Sequence, residues 1–207
     1  MNSKIKFYQS IQFKIALVFA LMLMLTLEVV GAVFVRQLER QNMTTFKQQV
    51  ELPTYVNNSL ASQLTKPNES QANKQIKAIL ASINNNTITE IRVIDGKGVI
   101  RGTSLANTQG SVGQRTTDKM IKATLATNRA HTEHLYDNNT HDRYFVNVVP
   151  LVNPNNANEV VGVAYLKANL EGVYTSINNI SLIYFASALL TIIFGLGLAI
   201  LIAREIT

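Results

Sequence analysis

Residues 15–35 read IALVFALMLMLTLEVVGAVFV, a stretch of 21 positions in which Glu28 is the single charged residue. At 1.5 Å per residue, a helix of this length crosses a hydrocarbon core of about 30 Å. A cleaved signal peptide would have a shorter apolar region, of about 7 to 15 residues, ending in small residues. The sequence therefore predicts a first transmembrane helix over residues 15–35.

A second apolar stretch covers residues 182–203 without a charged residue, and Arg204 ends it. The segment 1–14 carries three lysines and no acidic residue, and such a segment stays in the cytoplasm by the positive-inside rule. Two crossings return residues 204–207 to the cytoplasm. We therefore expect a multi-pass protein of the cell membrane, with residues 36–181 forming an extracytoplasmic domain.

The composition of this central domain excludes several functions. Its 15 Lys and Arg against 11 Asp and Glu make it mildly basic, which suits an anionic lipid surface. The sequence has no basic stripe with interleaved aromatic residues, so nucleic-acid binding is not predicted. The whole chain lacks cysteine, so disulfides, thiol catalysis and cysteine metal sites are excluded. An apolar core must hold the domain together.

The first part of the domain has helical periodicity, and strands follow. Apolar residues recur every three or four positions from Met43 to Leu64, which predicts a helix divided by Pro53. A second helix follows Pro67, with Asn68 as its N-cap. Apolar and polar residues then alternate in EIRVID (90–95), and the turn residues DGKG lead into VIRGT, which predicts a β-hairpin.

The second part predicts a short helix and three more strands. The helix is expected near Thr117–Ala126, and the strands at Ala130–Tyr136, Tyr144–Val152 and Val160–Leu166, joined by the loops DNNTHD and NPNNAN. This order predicts an α+β domain with a five-stranded antiparallel sheet and helices on one face. Residues 170–180 are again helical in period, so one helix is expected to continue into the second apolar stretch.

Several stretches resemble the WalK (also called YycG) sensor histidine kinases of low-GC Gram-positive bacteria. The resemblance covers the whole chain and rests on the two apolar stretches around the central domain. It also rests on EIRVIDGKGVI (90–100), DRYFVNVVPLV (142–152), GVAYLKANLEGVY (162–174), INNI (177–180) and IAREIT (202–207). None of these is a catalytic signature, and chemoreceptors share the layout.

The resemblance implies a Cache-type, PAS-like sensor domain in a homodimer. It implies that residues 204–207 begin a HAMP linker, followed in the family by a PAS domain and a histidine kinase core that uses ATP and Mg. The family's partners are a response regulator controlling cell-wall metabolism and two membrane-anchored accessory proteins, YycH and YycI.

We therefore expect the signal-sensing and transmembrane portion of a two-component sensor histidine kinase. The alternative is a Cache-domain chemoreceptor of the methyl-accepting type that senses a small ligand. A third hypothesis is a membrane-anchored wall-binding or structural protein. The residues after Thr207 would discriminate among the three.

The region HTEHLYDNNTHD (131–142) holds every histidine of the chain beside several carboxylates, which are metal-ligand types. On a strand His131 and Glu133 face one way and His134 the other, so a solvated hairpin tip is favoured over a metal site. Phosphate-binding motifs such as GxGxxG are absent. Ser111 lacks the context of a nucleophile elbow. The chain is expected to carry no catalytic, cofactor or metal-binding residues.

Arg101 and Arg143 are the candidate ligand-facing residues. Both lie near predicted strand ends, where a Cache pocket would open, and a guanidinium can grip an anionic ligand with two hydrogen bonds. A surface position on a strand is the alternative for each.

The second apolar stretch has small residues every fourth position, and such rows let helices approach closely in lipid. The row consists of Ser187, Thr191, Gly195, Ala199 and Ala203. A carboxylate such as Glu28 is costly in lipid and usually faces protein. Equal depth brings Glu28 level with the hydroxyls of Ser187 and Thr191. We predict that protonated Glu28 hydrogen-bonds this pair, within its chain or across a dimer. Snorkelling of Glu28, or pairing with an accessory protein's helix, is the alternative.

Overall fold

The computed structural model describes residues 11–83 and 86–205, and the side chains of residues 12, 13, 16, 199, 200 and 202–205 lie outside that description. The described chain forms two compact units, one from Thr45 to Gly172 and one from the residues before and after them. The elements are α1 (Ile11–Val50), α2 (Thr54–Leu64), α3 (Glu69–Ser82), β1 (Ile88–Asp95), β2 (Ile100–Thr103), a 3-10 turn (Ala106–Ser111), α4 (Lys119–Thr127), β3 (His131–Tyr136), β4 (Arg143–Asn153), β5 (Asn156–Asn169) and α5 (Glu171–Glu205).

The helical unit contains most of α1 and α5. Both helices are long and apolar enough to cross a membrane, judged by length and composition. Large apolar side chains such as Met22, Phe185 and Phe194 are more than 60% exposed. An apolar surface of this extent is unfavourable in water and favourable in contact with lipid. α5 continues without interruption from Glu171, as the helical period of residues 170–180 predicted.

The other unit is built on one five-stranded sheet with the order β2-β1-β5-β4-β3. Every neighbouring pair is antiparallel, so the predicted sheet is confirmed. The β4–β5 connection is shorter than the six-residue loop expected from NPNNAN. Asn153 pairs with Asn156, and the Asn153 Oδ1 accepts a hydrogen bond of 3.0 Å from the Asn155 amide. This side-chain turn lets Pro154 and Asn155 alone close the hairpin.

Helices cover both faces of the sheet. The end of α1 packs on one face, where Phe46 meets Phe145 edge to face with ring centroids 6.1 Å apart, and α2 and α3 pack beside it. α4 lies on the opposite face, where Ile121 joins an apolar cluster with Ile94 and Tyr165. This differs from the expectation of helices on one face only, because Ile121 of α4 packs on the opposite face. Covering both faces explains why β4 and β5 have nearly continuous apolar runs.

Helix caps agree with the sequence. Asn68 Oδ1 accepts a hydrogen bond of 3.1 Å from the Gln71 amide and begins α3, as predicted. Asp118 Oδ1 accepts from the Met120 amide at 2.8 Å and begins α4. Side-chain acceptors at these positions satisfy amides that the first helical turn leaves unpaired.

Gly162 of β5 provides a test of the sheet packing. A Cβ at this position would lie 2.2 Å from the Ile94 carbonyl oxygen and 2.6 Å from Leu64 Cδ1. We expect Gly162→Ala to destabilise the domain by about 1–3 kcal/mol, because backbone must move to admit the methyl group. Thermal unfolding followed by circular dichroism in detergent measures this.

Gly110→Ala is the matched control, since a Cβ at Gly110 meets no heavy atom within 4 Å. Equal melting temperatures for the two variants would contradict the packing described for β5.

Candidate functional site

Arg101 is held between two carboxylates. Its Nε donates to Asp95 Oδ2 at 2.7 Å, and its Nη2 donates to Glu69 Oε1 at 2.7 Å. The Arg101 side chain is 15% exposed and that of Asp95 10%. Hydrogen bonding to Arg101 lowers the pKa of Glu69, and the same bond is the main reason that the pKa of Arg101 is raised. The guanidinium thus ties the first turn of α3 to the β1–β2 hairpin.

Asp95 also closes the hairpin turn, because its Oδ1 accepts from the amides of Lys97 and Val99, each at 2.9 Å. Arg143, the second predicted ligand-facing arginine, is exposed at the first position of β4. The two arginines are therefore in different surroundings. A ligand contact for either one stays a prediction.

A buried carboxylate, Glu90, lies on the α4 side of the sheet and is 3% exposed. Its Oε1 accepts from Arg92 Nε at 2.6 Å and from the hydroxyl of Thr108 at 3.2 Å. Its Oε2 accepts from Arg92 Nη2 at 2.9 Å. The Thr103 hydroxyl is 3.4 Å from Oε1. The alternation of apolar and polar residues in EIRVID gives no sign that Glu90 is buried, and the two threonines that donate to it belong to no recognisable motif.

The remaining polar groups of this face are also paired. The Arg92 guanidinium lies 5.3 Å from the Tyr165 ring centroid, and Lys167 Nζ lies 3.9 Å above the Tyr144 ring. Burial raises the pKa of Tyr165 to about 12, so the phenol is neutral at physiological pH. Both cations already have partners, so this face has the character of a satisfied polar core.

The three histidines do not converge. His131 Nδ1 lies 3.0 Å from the Thr124 hydroxyl, His134 packs against the edge of Phe145 with centroids 5.5 Å apart, and His141 Nδ1 lies 3.0 Å from the Tyr136 hydroxyl. Within the described residues no three His, Asp or Glu side chains are grouped to hold a metal ion.

A cleft of about 630 Å³ opens where α1, α2 and α3 meet, and we call it the helix cleft. Its volume lies within the range of about 300–1,000 Å³ usual for small-molecule sites. The sequence predicts that Pro53 divides the helix, but it does not predict the cleft, because a cleft depends on how the helices pack. The lining residues are Gln48, Gln49, Glu51, Pro53, Tyr55, Val56, Ser59, Ile79, Ser82 and Ile83.

Two serine hydroxyls of the helix cleft donate their hydrogen bonds within the protein. The Ser59 hydroxyl donates to the Tyr55 carbonyl at 2.7 Å, and the Ser82 hydroxyl donates to the Ile79 carbonyl at 2.7 Å. Both serine oxygens therefore keep lone pairs as acceptors. The Tyr55 side chain is 73% exposed, whereas Val56 beside it is 5% exposed and anchors α2.

In the helical unit, Tyr184 of α5 contacts α1. Its hydroxyl donates to the Leu27 carbonyl, and its ring stacks on Phe34 with centroids 6.4 Å apart. Gly31 lies beneath the ring, where an added Cβ would overlap it. A small residue, Gly31, thus permits close approach of the two apolar helices at this point. The role of the predicted row on α5 stays a prediction.

The predicted coupling residues lie as follows. Glu28 is exposed, the Ser187 hydroxyl donates to the Tyr184 carbonyl at 2.8 Å, and the Thr191 hydroxyl donates to the Ser187 carbonyl at 2.9 Å. Hydroxyls in apolar helices commonly bond in this way to the preceding turn. A Cβ at Gly195 would meet no heavy atom within 4 Å, and the side chains of Ala199 and Ala203 lie outside the described residues. A contact from Glu28 to the hydroxyl pair, within the chain or across a dimer, stays a prediction.

Comparison with known proteins agrees with the fold. Residues 75–168 match the WalK sensor protein kinase Cache domain. The sensor domain of the Vibrio cholerae histidine kinase DctB superimposes with a TM-score of 0.52 at 16% identity, over 69% of this chain and 57% of that chain. At that identity the likeness shows the fold alone.

Two curated relatives match almost the whole chain. The sensor histidine kinase WalK of Bacillus subtilis is 27% identical over 99% of this chain and 34% of its own length. The sensor protein kinase WalK of Staphylococcus saprophyticus is 26% identical over 98% of this chain and 34% of its own length. The chain therefore spans about one third of the length of these relatives.

The ion pairs of Arg101 predict a structural role. We expect Arg101→Ala to destabilise the domain by about 2–3 kcal/mol, because Asp95, 10% exposed, loses a charged hydrogen-bond partner. Arg129→Ala, which removes an exposed arginine, should leave the melting temperature nearly unchanged. Thermal unfolding compares the two variants, and equal stability would show that the pairs contribute little.

The Tyr184 contact predicts a crosslinking pattern. The chain lacks cysteine, so introduced cysteine pairs have no background. We expect the highest yield within one chain for position 31 paired with 184, because Tyr184 packs directly on Gly31. Pairs of 28 with 187 or 191 should crosslink within one chain or between chains, the latter giving a dimer band on non-reducing gels. Failure of 31 and 184 to crosslink would contradict the Tyr184 contact, and failure of both pairs with position 28 would contradict the contact predicted for Glu28.

Proposed function

The chain carries a WalK-family sensor region with a Cache fold, and from this premise we propose that it is the signal-sensing and membrane-anchoring part of a two-component sensor histidine kinase. The observation that carries the proposal is the Cache match at residues 75–168, set between two helices apolar enough to cross a membrane. The WalK relatives match on both sides of the Cache domain, which favours a kinase over the chemoreceptor alternative.

The proposed topology puts both termini in the cytoplasm and residues 36–181 outside the cell. The lysines of the segment 1–14 support this orientation by the positive-inside rule. In this arrangement an extracytoplasmic stimulus reaches the Cache domain directly.

Both connecting helices are joined firmly to the sheet, which supports signal transfer. The end of α1 packs on β4 through Phe46 and buries Val50 completely. α5 follows β5 at once, where the Leu170 amide donates to the Arg143 carbonyl at 2.8 Å and the Glu171 amide donates to Asn169 Oδ1 at 2.7 Å. A stimulus that favours one packing of helices on the sheet therefore shifts α1 and α5 between states.

The resemblance to the WalK family supplies the rest of the proposal. Residues 204–207 would enter a HAMP linker, and a kinase core with ATP and Mg would phosphorylate itself and then a response regulator that controls cell-wall metabolism. The receptor would be a homodimer, in contact with accessory proteins of the YycH and YycI type.

A chimera tests the sensing role. Residues 1–207 are joined to the cytoplasmic part of the Bacillus subtilis WalK and assayed for autophosphorylation in membrane vesicles. Phe46→Ala should change the resting rate about threefold or more, since loss of this aromatic contact costs roughly 3–5 kcal/mol and loosens α1 from the sheet. Lys74→Ala, an exposed change on α3, should not alter the rate.

An impermeant maleimide provides the topology control in whole cells. A cysteine at Asn139 should be labelled and one at Thr207 should not. The reverse labelling would overturn the orientation, and a chimera indifferent to Phe46→Ala would overturn the coupling.

A further inference from the structure

We propose that the helix cleft binds a neutral, hydroxyl-rich ligand of the saccharide class. The inference rests on the proposed sensing role and adds the chemical class of the stimulus. The cleft belongs entirely to the Thr45–Gly172 unit and is distinct from the α4 side of the sheet, where Glu90, Arg92 and Tyr165 already satisfy one another.

Charge excludes an anionic ligand. Among the described residues that line the helix cleft, Glu51 alone is charged, and no lysine, arginine or histidine takes part. A phosphate or carboxylate group would enter a site with one carboxylate and no cation, where electrostatic repulsion opposes it. The cations nearest in sequence, Lys47 and Lys77, are not part of the lining.

The hydrogen-bonding groups of the helix cleft favour a ligand that donates hydrogen bonds. The hydroxyl protons of Ser59 and Ser82 are used within their own helices. The serine oxygens and the Glu51 carboxylate therefore offer acceptors, and the Gln48 amide offers both kinds of group. Hydroxyl groups of a sugar supply donors to such a surface and accept from the glutamine.

The apolar part of the cleft matches the other side of a sugar ring. Tyr55 is 73% exposed and lines the cleft together with Pro53, Ile79 and Ile83. A pyranose has an apolar face of C–H groups and a rim of hydroxyls, and a tyrosine combines an apolar ring with a polar tip. A purely apolar ligand would cover the acceptor lone pairs of Ser59 and Ser82 and the Glu51 carboxylate without donating a hydrogen bond to them.

The position of the cleft links binding to signalling. Gln48 lies in the last turn of α1 and Glu51 directly after it. Tyr55 and Ser59 lie on α2, and Ser82 ends α3. A ligand that contacts all three helices spans the break at Pro53 and favours one angle between α1 and α2. Such a differential contact is what a ligand needs to shift a conformational equilibrium.

The absence of tryptophan makes a direct test feasible. Tyr55→Trp places a single tryptophan in the cleft of the full chain, reconstituted in lipid nanodiscs. The probes are glucose, N-acetylglucosamine, cellobiose and maltose, with glucuronate as the anionic and glucosamine as the cationic counterpart of glucose. We expect a saturable fluorescence change with at least one neutral sugar, and binding of glucuronate about tenfold weaker or more, equivalent to 1.4 kcal/mol.

Calorimetry with the parent chain and the best neutral sugar supplies the controls. Tyr55→Ala and Ser82→Ala should each weaken binding about fivefold or more, in line with the loss of one stacking or hydrogen-bonding partner. Tyr136→Ala, which removes a tyrosine 54% exposed on β3, should not. Circular dichroism confirms that each variant is folded.

No saturable change with any neutral sugar would overturn the proposal. So would equal or tighter binding of glucuronate or glucosamine, or an equal loss with Tyr136→Ala. Sensitivity of the chimeric kinase to Phe46→Ala is measured without a sugar, so the sensing role can stand when the saccharide assignment fails.

Discussion

The central position of β5 is the constraint on which the rest of the structure depends. β5 pairs with β1 along one edge and with β4 along the other, and it is buried on both faces from Gly162 to Leu166. Gly162 allows the β1 backbone and α2 to approach together. Because α5 begins two residues after β5 ends, the strand that holds the sheet together is also the one that leads into an apolar helix.

The buried polar groups of the β1–β2 hairpin and those around α2 differ in how fully they are hydrogen-bonded within the protein. Asp95 and Glu90 are buried carboxylates with several donors each, and they fix the β1–β2 hairpin to α3 and to the 3-10 turn. Around α2 the described amide oxygens of Asn57, Gln63, Asn73 and Asn147 are buried and lack a protein donor. These amide oxygens therefore do not tie α2 to its neighbours in the way that Asp95 and Glu90 tie the hairpin. α2, which borders the cleft together with α1 and α3, thus lacks the polar anchoring of the hairpin.

Much of this arrangement could be predicted from local sequence patterns. The apolar length of residues 15–35, the two-residue period of EIRVID and the Asn68 cap each depend on neighbours within a few positions. The placement of α4 on the second face, the burial of Glu90 and the pairing of Arg101 with Glu69 depend on partners that only the folded sheet brings together. Glu69 and Arg101 are 32 residues apart in sequence. The helix cleft was missed for the same reason, since its lining comes from three helices.

The burial of Glu90 bears on the order in which the parts of the domain fold. Its partners Arg92, Thr103 and Thr108 all lie within 18 residues of it. β5, which pairs with β1, begins more than 60 residues after β1 ends. Contacts over such a sequence separation form more slowly than contacts within a hairpin. Glu90 can thus gain all of these partners before β5 is added to the sheet. When β5 then pairs with β1, the burial of this carboxylate does not depend on a counter-ion from a distant part of the chain.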